Sequence, residues 1–158
     1  MCDRDVQIID EFAEKYCLFW EIATREIKPV VRGDNGLIYC YDEARKLLGC
    51  AFIPDELPGD GWNMICHAMI AAGMVLVRDC LSESYVSFDP KDKKQCQLAL
   101  TVAGIKPSPE SAAQRALMVT TITAARQRKG KQLEHQRVLK ELALIRAGAD
   151  LSPDNSRS

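Results

Sequence analysis

Histidine is nearly absent from this chain, with two in 158 residues, and neither charge sign dominates, 21 Lys and Arg standing against 22 Asp and Glu. The first shortage leaves little material for a Cys–His catalyst or a histidine-built metal site. The second removes any bulk attraction to nucleic acid or to an anionic membrane. Long hydrophobic runs are missing too. The longest nearly uncharged stretch, Met64 to Val77, covers 14 residues and contains His67, whereas a spanning helix needs roughly 20. The opening Met1-Cys2-Asp3-Arg4-Asp5 has neither the basic start nor the apolar core of a secretory signal.

Catalytic and ligand-binding spacings are also lacking. There is no Cys-x-x-Cys pair, no His-x-x-x-His, no Gly-x-Ser-x-Gly and no calcium loop. Gly33-Asp34-Asn35-Gly36 is too short and too acidic to cradle a phosphate, and no Gly-Lys-Ser/Thr follows it. The seven cysteines are odd in number and scattered among apolar neighbours. Free thiols packed as small hydrophobes in a reducing cytosol are the simplest reading. No catalytic residue, cofactor, metal or membrane partner is expected.

What is present is the composition of a folded domain, 47% hydrophobic and 27% charged. Helical spacing dominates the reading. Val6, Ile9, Phe12, Ala13, Tyr16, Phe19 or Trp20, and Ala23 recur at steps of three and four, predicting a helix over 3–26. β-branched and aromatic residues on either side of 33–36 predict one short hairpin, with Pro29 placing its first strand at an edge. Asp42 to Leu48 reads as a short helix ended by Gly49, and 51–60 as a loop. Trp62 to Leu81 reads as a central helix packed on all sides, the hub of the core. Residues 82–89 read as a loop or short extended piece. A helix capped by Asp89-Pro90 runs to Gly104, and Ser108-Pro109 opens another. From Pro109 to Ala147 only Gly130 interrupts helical composition.

The expected fold is therefore mainly α: a compact helical bundle with one short β-hairpin. It forms a single domain over 1–148, including a long or bent helix over 109–147, and a flexible tail over 149–158.

Three functions fit these residues. The favoured one is a non-enzymatic protein-interaction module, an adaptor, inhibitor or assembly subunit with a protein partner or self-association. Trp20 in the first helix and the stripe Val138, Leu139, Leu142 and Ile145 would provide its contacts. Charge asymmetry supports it: 3–26 holds seven acids against three bases, whereas 126–146 holds seven bases against two acids. The second is nucleic-acid binding through Arg126, Arg128, Lys129, Lys131, Arg137 and Lys140, although these lack interleaved aromatic residues for base stacking. A helix-turn-helix around 104–115 fits poorly, because prolines at 107 and 109 lengthen its turn. The third is an enzyme using Cys66 or His67. Adjacent helical residues point about 100° apart and cannot share one metal unaided. His67 reads by default as a core histidine and His135 as half exposed.

Overall fold

The computed structural model describes residues 3–54, 61–78 and 83–156, with side chains described outside 61–63 and 148–156. The elements run α1 (Arg4–Tyr16), β1 (Glu21–Ala23), β2 (Lys28–Arg32), β3 (Gly36–Asp42), β4 (Leu47–Phe52), α2 (Gly61–Ala71), β5 (Val75–Arg78), β6 (Ser84–Phe88), α3 (Lys93–Ala103) and α4 (Ser111–Ser156). The six strands form one antiparallel sheet in the order β1-β2-β3-β4-β6-β5. The class is α+β. The all-helical bundle with a single hairpin is wrong, and the physical reason lies in three segments.

Helix α1 stops at Tyr16 rather than near 26. Cys17 enters the left-handed region at φ 56°, and the Leu18 amide donates to the Ala13 carbonyl at 2.8 Å, a closure that satisfies terminal helix carbonyls. Beyond it the period becomes two: Leu18 and Trp20 are fully buried while Phe19 is 41% exposed. The aromatic cluster that looked like a helix apolar on several faces is an extended segment leading into β1.

The segment read as a helix from Asp42 is a turn followed by β4. Asp42 caps nothing helical; its carboxylate accepts the Arg45 amide at 3.1 Å, an Asx-type closure. Leu48, Cys50 and Phe52 then alternate into the core. In register, Ile38 faces Cys50, which faces Val86, and Cys40 faces Leu48, which faces Phe88. Residues 84–88, read as loop or extended, are thus the strand β6 beside β4.

The supposed hub, 62–81, ends as a helix at Ala71. Gly73 at φ 93° and the Met74 amide bonded to the Met69 carbonyl at 3.0 Å turn the chain into β5. Met69 and Met74 are buried, but Met64 is 72%, Ile70 58% and Val75 61% exposed. This stretch lies at the periphery, since β5 is an edge strand. Residues 79–81 of the expected helix, and 55–60 of the expected loop, lie outside the described residues.

The core instead sits between one sheet face and α1 and α3. Val6, Ile9, Phe12 and Ala13 of α1 and Cys96, Ala99, Val102 and Ala103 of α3 join Val31, Ile38, Leu48, Cys50, Phe52, Val86 and Phe88. The expected hairpin over 27–41 is present as β2–β3, but β1 pairs outside it and Pro29 faces Ile22, so β2 is not an edge. The hairpin turn also caps α3. The amides of Asp34 and Asn35 donate to the Gly104 and Ala103 carbonyls at 3.2 and 3.0 Å, and Asn35 Nδ2 donates to the Val102 carbonyl at 3.1 Å. Gly104, at φ 66°, lets α3 end there. The start of α3 is set by Asp92, whose carboxylate accepts from the Lys94 and Gln95 amides, three residues later than the Asp89 expected.

The helix expected over 109–147 is assigned from Ser111 to Ser156 and passes through Gly130 without a break; the tail expected from 149 is helical through Ser156. The chain divides into two units, 1–122 and 123–158.

Candidate interaction surfaces

Strand alternation sends a second set of side chains away from the core. Val30, Leu37, Tyr39, Ala51 and Tyr85 lie outside the main core cluster, Val30 and Ala51 buried and the other three half-buried, and register places Val30 beside Tyr39, and Leu37 beside Ala51 beside Tyr85. With Tyr41, Ala23 and Pro29 they line a groove of about 540 Å³. An antiparallel sheet can keep one face uncovered by helices. Of the described helices only α1 reaches this groove, through Asp5.

Tyr39 shapes the floor. A Cβ on Gly49 would fall 2.4 Å from Tyr39 Cζ, so the ring lies over the bare glycine and packs along the sheet instead of standing off it. Burial, with the neighbouring Tyr85 hydroxyl and Cys50 thiol, pushes its phenol up to about 12. Tyr85 is raised as well, first through its hydrogen bond with Glu83 and then by burial. These hydroxyls stay protonated at neutral pH and act as donors. Glu43 and Glu83 at the groove, with Glu26 paired to Lys28 and Asp5 buried beside it, give it an acidic rim.

Three cysteine thiols are shifted, all upward. Cys50 is fully buried, and desolvation takes its thiol up to about 12; Cys40 is taken up to about 11, again mainly by burial, and burial also raises Cys96. A reactive thiol needs the opposite direction. Cys66 is half-buried, and His67 is exposed rather than in the core, as is His135. Cys2 and Cys80 lie outside the described residues. Among the described residues no three His, Cys, Asp or Glu side chains gather into a metal-holding group, and no helix is long and apolar enough to cross a membrane.

Trp20 is not at the surface. It is fully buried, its indole donates to Asp10 Oδ1 at 2.8 Å, and Asp10 also meets Arg115 at 3.5 Å. The Gln114 side-chain amide donates to the Trp20 carbonyl and accepts the Trp20 amide at 3.3 Å. This bracket ties the first turns of α4 to Trp20 and α1. Part of the acidity of 3–26 is likewise neutralised within its own unit, Glu21 pairing with Arg32 at 2.5 Å and Glu26 with Lys28 at 3.3 Å.

Val138, Leu139, Leu142 and Ile145 are all exposed. So are Arg128, Lys129, Lys131, Arg137 and Lys140, while Arg126 is half-buried. At about 100° per residue, Arg126, Lys129, Arg137 and Lys140 share one side of α4, and Arg128 and Lys131 point nearly opposite. The six basic residues therefore do not converge on one surface, and Arg137 lies 3.9 Å from Glu134.

Sequence reasoning missed the groove because its residues were assigned to a hairpin, a helix and a loop. The alternation Leu48, Cys50, Phe52 and the pair Val86, Phe88 was the available signal. No protein family model matches this chain, and neither the curated proteins nor the solved structures include a match to it.

Proposed function

We propose that the chain is a protein-interaction module, not an enzyme, and that it receives an extended segment of a partner protein in the tyrosine-lined groove. One observation carries this reading: Tyr39, Tyr41 and Tyr85 stand together with Leu37 on a sheet face that α3 leaves open and α1 reaches only through Asp5. Tyrosine brings large contact area at low entropic cost and a donor at its tip, which is why it is enriched in protein interfaces. The acidic rim selects for a partner segment carrying Lys or Arg between apolar residues. Five described cysteines without disulfides support placement in the reducing cytosol.

The test is selection from a displayed peptide library against the wild-type chain and the Tyr41→Asp and Tyr85→Asp variants. Recovered peptides should alternate apolar and basic residues and lose at least tenfold in affinity on either variant. Peptides that bind all three chains equally, or no enrichment at all, would refute the groove.

A further inference from the structure

Independently of the groove, we infer that α4 assembles this chain with further copies of itself, as a parallel bundle of more than two helices. The register comes from His135 and three of the exposed apolar residues of α4; Leu133 and Leu144, also exposed, fall at f and c, off this seam. His135, Val138, Leu142 and Ile145 recur at steps of three, four and three, the a and d positions of two heptads. Leu139 falls at e and widens the stripe. Upstream the same positions hold Arg128 and Lys131, which end the seam.

Charge sets the direction. Glu134 and Glu141 fall at g, and Arg146 at e. In a parallel bundle each g residue faces the e residue five positions later on its neighbour, so Glu141 meets Arg146 of the next copy. An antiparallel pairing would instead bring g against g, carboxylate against carboxylate. The parallel arrangement thus has one complementary pair, Glu141 with Arg146, while Glu134 faces Leu139; the antiparallel one sets carboxylates against each other.

Core shape sets the number. Leu142 at a with Ile145 at d is the combination that favours assemblies larger than dimers, and β-branched Val138 at d agrees with it. An apolar e position has the same effect, since only a neighbour on each side covers it. His135 occupies the first a position, a polar residue of the kind that fixes alignment at some cost in affinity.

Sedimentation equilibrium on the full chain tests this. The wild type should reach three or four times the 17.6 kDa chain mass. Leu142→Asn with Ile145→Asn should weaken association at least a hundredfold, while near-ultraviolet circular dichroism from Trp20 shows 1–122 still folded. Glu141→Arg should dissociate the bundle, and adding Arg146→Glu should restore it. A monomeric or dimeric wild type overturns the inference, as does assembly that survives the double asparagine variant or a charge swap that restores nothing. Tyr41→Asp should leave the mass unchanged, so failure of the groove and failure of the bundle read out separately.

Discussion

The two units of this chain are stabilised in opposite ways. In 1–122, structure depends on partners distant in sequence: Trp20 is held by Asp10 and Gln114, the 33–36 turn by the end of α3, and Cys50 by the Ala99 carbonyl at 3.7 Å. In 123–158 every described side chain from Gln127 to Ala147 is exposed, and the helix rests on its own i to i+4 bonds and residue propensities. A change in the first unit removes contacts that nothing local replaces. Within a single chain, one in the second alters only the local balance between helix and coil.

The sharpest way to break this contrast is Trp20→Ala. It empties a fully buried site and leaves Asp10 without its indole donor, so 1–122 should lose about 3–5 kcal/mol, read from the denaturant midpoint. Amide exchange in 127–147 should not change. A loss below about 1 kcal/mol would remove Trp20 from the core. High pH should separate the units next. Tyr39 is pushed up to about 12, Cys40 to about 11 and Cys50 to about 12, each mainly by burial. Each raised group holds its proton in the folded state after the unfolded chain has lost it. Their stabilisation is complete below the unfolded values, near 9 for the thiols and 10 for the phenol, and is lost as pH rises towards 11–12. Unfolding free energy of 1–122 should fall over that window, and Cys50→Ala should flatten the fall. A flat profile would place these groups in water.

The same contrast explains what could be read from the chain. Helix periodicity is local, so helices at α1, α3 and α4 were legible, with Gly104 at the correct end of α3 but the end of α1 placed ten residues too late, and whether Gly130 bends or splits the last helix was left open. The β2–β3 hairpin was found because a glycine-rich turn joins its strands in sequence. The strands β1, β4 and β5 were missed where their sequences gave a competing local signal, and β6 was read only as a loop or short extended piece. Asp42 imitates an N-cap, Gly49 imitates a helix stop, and Met64 to Val77 is apolar at every period. Only the pairing of β4 with β6, whose residues lie more than thirty positions apart, decides them. Because the groove sits on that pairing, the local alternation of Leu48, Cys50 and Phe52 alone did not reveal it. The stripe on α4 was legible because helical spacing alone defines it.

Gln114→Ala probes the seam where long-range holding gives way to local holding. It removes both bonds to the Trp20 backbone while leaving the indole–Asp10 bond in place. Stranding a partly buried amide and carbonyl costs about 1–3 kcal/mol, so 1–122 should be destabilised by less than Trp20→Ala achieves. An unchanged midpoint would show that water satisfies the Trp20 backbone equally well.

The smallest effect should come from Gly130→Ala. An added Cβ meets no atom within 4 Å, so no packing is gained or lost and only helix propensity acts, worth about 1 kcal/mol in favour of alanine. Amide exchange across 127–135 should slow by up to about fivefold, the factor that about 1 kcal/mol corresponds to. The midpoint of 1–122 should stay where it is, because nothing in that unit's core depends on this turn. If the midpoint rises with the local protection, the two regions unfold as one cooperative body, and local stabilisation of the second unit would no longer describe it.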